Sequence, residues 1–171
     1  MILAITMLSE EVDNRAFVAS LQCVWQLPNY VALEALKTIS PWQYFSIATV
    51  LLGFPWAHAL QVSWLSRNAG SVRTRTVSAS VYNMSVQVAA LIGANIYQAN
   101  DKPRYHKANR GMIGLLVFNI LFLYPGAWLY YTWRNKQKSK IWDAWTDEEK
   151  DHYLKTTTDK GNKRLDFQFA K

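Results

Sequence analysis

The stretch from Gly111 to Trp133 is built from Ile, Leu, Val and Phe, contains no charged residue, and ends in Trp128, Tyr130, Tyr131 and Trp133. A bilayer-spanning helix needs about 20 mostly apolar residues, because the hydrocarbon core is about 30 Å thick and a helix rises 1.5 Å per residue. The terminal aromatic rings suit the headgroup interface. A chain holding such a run is expected to fold as an all-α, multi-pass transmembrane bundle.

Three further runs extend that expectation. The run from Tyr44 to Leu65 is nearly as apolar, although Pro55 and His58 interrupt it and need partners inside a bundle. Ala16 to Leu36 also reads as a span despite Gln22, Gln26, Pro28, Asn29 and Glu34. Val77 to Tyr97 is free of charge but rich in Ser, Ala, Asn, Gln and Gly. At 100° per residue, Ser80, Asn83 and Gln87 share one narrow face of that helix, with Asn95 at its edge. Ala79, Ala90, Gly93 and Ala94 permit close helix approach. The expected spans are therefore 16–36, 44–65, 77–97 and 111–133, followed by a polar tail over 134–171.

Composition agrees once its distribution is considered. Half of the 171 residues are apolar and 14% aromatic, yet the mean hydropathy is only −0.10 because charge collects in short connections and in the tail. A formal charge of +7 would suggest nucleic-acid binding in a soluble protein. Here the cations flank apolar runs and face lipid phosphates instead, so no nucleic-acid partner is expected. Cys23 is the sole cysteine, which excludes an intrachain disulfide and Cys-based zinc clusters. The apolar opening, Met1 to Leu8, lacks a basic flank and a cleavage signature and is not read as a signal peptide.

If the spans alternate direction, the loop Ser66 to Thr76 and the tail share one side. Arg67, Arg73, Arg75, Arg134, Lys136, Lys138 and Lys140 gather there and outnumber Lys37, Lys102, Arg104, Lys107 and Arg110 opposite. That bias places the tail in the cytoplasm. Within the tail, Thr146-Asp147-Glu148-Glu149 fits a capping box, Lys160-Gly161-Asn162 ends the helical pattern, and the remainder reads as solvated.

Several local patterns resemble the fungal allantoate permease family, the anion:cation symporters of the major facilitator superfamily. They include Asp13-Asn14-Arg15-Ala16-Phe17, Pro55-Trp56-Ala57-His58-Ala59 and Trp64-Leu65-Ser66-Arg67-Asn68. Arg73-Thr74-Arg75-Thr76-Val77 with Val81 to Gln87 is similar to the start of that family's eleventh helix. Asn95-Ile96-Tyr97 with Asp101-Lys102-Pro103-Arg104-Tyr105 is similar to its connection to the twelfth. The segments Trp133 to Gln137 and Thr157 to Phe167 are similar to its cytoplasmic end. Ala108-Asn109 stands where Gly-Asn is expected, and Asn100 replaces an acidic residue.

The resemblance implies the last four or so helices of a twelve-helix major facilitator fold, in the plasma membrane, taking up small organic anions with a proton. Allantoate, ureidosuccinate and vitamin-like carboxylates are the implied solutes, with no cofactor and no metal. Asn83 and Gln87 are the substrate-binding candidates, since amides both donate and accept. Their other use is to hydrogen-bond neighbouring helices. His58 is the proton-coupling candidate, or it hydrogen-bonds a carbonyl freed by Pro55. Arg73 and Arg75 serve a cytoplasmic gate or set topology and contact lipid. His106 and His152 fall in loops, isolated from other ligating groups. Asn83-Met84-Ser85 matches a glycosylation acceptor, but mid-span placement closes it.

A major facilitator site draws on both halves of the fold, and this chain would supply part of one. Alone it is expected to give no uptake. The rival reading is a truncated or pseudogene product that only associates with a full-length permease. Membrane-embedded enzyme chemistry has no support, for no His/Asp/Glu cluster or nucleophile elbow accompanies the spans.

Overall fold

The computed structural model describes residues 2–36, 38, 40–102 and 104–171. Lys37 and Pro103, named above for loop charge and for the family-like connection, lie outside the described residues. All described regular structure is helical: α1 (Ile2–Val12), α2 (Arg15–Ala35), α3 (Pro41–Leu52), α4 (His58–Ala69), α5 (Val72–Ile96), α6 (His106–Phe118), α7 (Tyr124–Trp142) and α8 (Asp147–Thr156).

α2 is the centre of the bundle and packs against α1, α3, α4, α6 and α7. Its N-terminus is fixed by Asn14, whose side chain accepts the Phe17 amide at 3.1 Å. Ala16, Ala19 and Cys23 are buried at helical spacing, and such small side chains let backbones approach closely. The core joins Val18, Ala19, Cys23 and Tyr30 of α2 to Leu60, Leu116 and Tyr124. At one end, the Glu34 carboxylate pairs with His106 Nδ1 at 2.7 Å and Arg110 Nε at 2.6 Å, tying α2 to α6.

The expected span 44–65 is not one helix. It breaks over residues 53–57 into α3 and α4, each of 12 residues and too short to cross alone. Pro55 has no N–H to give and its ring excludes the α conformation at Phe54, so the helix ends ahead of it. Side chains of α2 satisfy the backbone that the break exposes. Gln22 Oε1 accepts the Ala57 amide at 2.9 Å, and Trp25 Nε1 donates to the Val50 carbonyl at 2.8 Å. Two residues that lower the hydropathy of α2 thus serve the backbone of the break beside it. Gln22→Leu leaves the Ala57 amide without its acceptor, and we expect a loss of about 1–2 kcal/mol in denaturant unfolding of the purified chain.

α5 and the continuous helix His106–Trp142 are long and apolar enough to cross a membrane. α5 begins at Val72, earlier than expected, under the Ser71 cap, so Arg73 and Arg75 belong to its first turn and not to a loop. The second helix joins α6 to α7 through a π-turn, Asn119–Leu123. It runs past Trp133, so residues 134–142 continue the helix. No side chain of α5 is buried; Leu91 is 69% and Met84 68% exposed. A soluble core helix hides such residues, whereas here they face outward as lipid-facing or helix-facing surface does.

Beyond Trp142, Thr146 caps α8 with Glu149 reciprocating, as the sequence pattern implies. The segment 161–171, half-buried to exposed, folds back onto α2, α4 and α7. The Asn68 amide exchanges two hydrogen bonds with the Ala170 backbone, at 2.9 and 3.0 Å. Asn135 does the same for Phe169, at 2.8 Å each. Lys138 Nζ donates to the carbonyls of Asn162, Arg164 and Phe167, beneath the Phe167 and Phe169 rings.

Arg164 grips Asp166 through two hydrogen bonds of 2.8 and 2.7 Å, which holds the carboxyl below its usual range. A depressed folded-state value stabilises the fold above the unfolded carboxyl's pKa, and that contribution disappears as pH falls through the folded value. We expect amide protection of residues 161–171 to be flat near neutrality and to decline below about pH 4. Asp166→Asn should flatten that decline in hydrogen exchange.

Candidate functional site

At the break between α3 and α4, His58, the first residue of α4, is half-buried and faces α5. Its Nδ1 lies 2.8 Å from the Tyr82 hydroxyl of α5, and the rings are 5.3 Å apart. Tyr82 donates to Gln61 Oε1 at 2.9 Å, and Gln61 Nε2 donates to the Tyr124 hydroxyl at 2.9 Å. Four polar side chains from α4, α5 and α7 form one chain.

The direction of the chain fixes the imidazole tautomer. With the Tyr82 proton committed to Gln61, its oxygen accepts from His58, so Nδ1 carries the proton and Nε2 is left as the basic nitrogen. Trp56 meets the His58 ring edge-on at 6.4 Å and stacks on Phe54 at 5.4 Å. Residues of the break therefore wall one side of the imidazole. Ala57, at the N-cap of α4, offers no side-chain cap. The helix start keeps its partial positive charge facing the break.

The structure gives His58 a side-chain partner, where the sequence left a freed carbonyl as the rival acceptor. It does not bring Asn83 and Gln87 to the same place. Both are exposed on α5, and among the described residues neither side chain has a hydrogen-bond partner. Arg73 and Arg75 are exposed at the start of α5, without an ion pair among the described residues. His106 opens α6 against Glu34 and His152 lies in α8, so neither is in a loop.

Tyr82, Gln61 and Tyr124 were missed by sequence reasoning. One signal was present: His58 and Gln61 are three residues apart and share a helix face. Tyr82 and Tyr124 read as ordinary aromatic residues of apolar helices, and only their packing reveals the use of their hydroxyls.

No family model matches the chain, and no solved structure matches it. Three Saccharomyces cerevisiae proteins are similar to it. An uncharacterized transporter is 41% identical over 164 residues, covering 95% of this chain but 30% of the relative. A putative uncharacterized transporter is 42% identical over 171 residues, covering 99% of this chain and 79% of the relative. The high-affinity nicotinic acid transporter is 27% identical over 99 residues, 58% of this chain and 18% of that protein.

Proposed function

The chain belongs to the transporter family of the two uncharacterized yeast proteins, and from that premise we propose that it serves proton-coupled uptake of small organic anions across the plasma membrane. Allantoate, ureidosuccinate and vitamin-like carboxylates are the solutes in question, the last supported by the similarity to a nicotinic acid transporter. The chain would contribute the last helices of a major facilitator fold, with its basic end and tail cytoplasmic, and would act as a carrier rather than an enzyme.

The observation that carries this reading is the placement of His58. An imidazole with a free Nε2 can take up and give back a proton. It stands at the start of a half-helix inside an interrupted span, the arrangement in which transporters hold anionic groups. The half-helix start and a protonated imidazole both attract an anion. Proton and anion therefore each favour the other's binding, and that linkage is reciprocal. Tyr82, Gln61 and Tyr124 hold the imidazole and relay its hydrogen bonds. Asn83 and Gln87, one helix face away, are placed to meet solute from the other half of a complete carrier, and Arg73 and Arg75 to close or anchor its cytoplasmic side.

The exposed amide stripe of α5 favours a second reading, in which the chain does not transport but associates with a full-length permease. The test places this chain in the longer yeast relative, replacing the matching 164 residues. Labelled allantoate, ureidosuccinate and nicotinate uptake is then measured in cells lacking those carriers. We expect uptake from the chimera and none from the chain alone. A chimera that reaches the membrane and moves none of the three would overturn the carrier reading.

A further inference from the structure

We propose that a cavity at the end of the bundle marked by Glu34 and His106 is a receiving subsite for a small carboxylate joined to a planar group. The proposal rests on the carrier reading above. The cavity holds about 370 Å³, near the lower end for small-molecule sites and suited to a single-ring ligand. One wall is a single face of α3, formed by Pro41, Tyr44, Ala48 and Leu51 at helical spacing. The other is built from Tyr97, Arg104 and Tyr105.

Charge decides the ligand's sign. Both acids near this end are already committed. Asp101 Oδ2 accepts the amides of Lys107 and Ala108 at the start of α6, and Glu34 is held by His106 and Arg110. Arg104 is a guanidinium on the cavity wall with no ion pair among the described residues. A guanidinium presents paired donors that match a carboxylate.

The rings decide its shape. Tyr97 and Tyr105 meet edge to face at 5.4 Å, and Tyr44 lies across from them on α3. Aromatic walls of this kind favour a flat, unsaturated body over a puckered one. The α3 face ends at Leu51, just before the break that begins at Gly53. A carboxylate seated on Arg104 therefore shares the cavity with the α3 face that leads toward the break.

The purified chain in detergent is titrated with benzoate, with neutral benzamide and with non-planar cyclohexanecarboxylate, following Tyr and Trp fluorescence. We expect benzoate to bind about tenfold tighter than either other probe. Arg104→Gln should erase the preference for benzoate over benzamide, while Lys102→Gln, which removes a charge outside the cavity, should keep it. Equal binding of benzamide, or an unchanged benzoate preference in a folded Arg104→Gln chain, would overturn the proposal. Should Arg104→Gln fail to fold, the three probes on the unaltered chain still decide it. Arg104-dependent binding with no uptake by the chimera would sink the carrier reading alone; uptake without that binding would sink this subsite alone.

Discussion

Gly70→Ala is expected to release the segment 161–171 from the bundle. Gly70 has φ +71° and Gly161 φ +62°, both in the left-handed region that side chains resist. Their backbones also touch. A Cβ on Gly70 would fall on the backbone of Asn162, and one on Gly161 would lie 2.7 Å from the Gly70 carbonyl. Neither collision is relieved by a rotamer change, because both partners are main chain.

The two segments must separate there, and the bonds made by Asn68 and Lys138 go with them. We expect a local cost of about 3 kcal/mol, a rise of about a hundredfold in amide exchange at Phe169 and Ala170. Exchange measured by mass spectrometry checks this. Gly93→Ala is the control, since nothing lies within 4 Å of a Cβ there.

His58→Gln in the chimera is expected to abolish solute accumulation driven by a proton gradient while leaving exchange of solute for solute. Glutamine keeps a hydrogen bond to Tyr82 but exchanges no proton. If His58 only holds the bundle together, both activities fall together. Tyr82→Phe removes the hydroxyl that orients the imidazole and should lower gradient-driven uptake about tenfold, with folding retained. Uptake with and without an imposed gradient separates these outcomes.

Apolar runs marked stretches that lie along α2, α5 and the continuous helix His106–Trp142, the last two long and apolar enough to cross a membrane. They misplaced ends for physical reasons. The helix after Trp133 continues through Arg, Lys and Gln, which are good helix formers, so hydropathy falls where the helix does not. Pro55 marked the break between α3 and α4, but not its repair by Gln22 and Trp25 across helices. Asn68 and Asn135 read as connection and tail polarity, yet each pairs with the backbone of a segment far along the chain. Such pairings carry no period and leave no local mark. For the same reason Asn83 and Gln87 shared a face without that face finding a partner.

That His58 couples proton to solute is tested most directly in chimera-bearing vesicles that enclose a pH-sensitive dye. Added allantoate or nicotinate, without any imposed gradient, should acidify the lumen as solute enters, and His58→Gln should remove the acidification while solute exchange persists. Solute entry with no change in lumenal pH, or an equal change in His58→Gln, would contradict it.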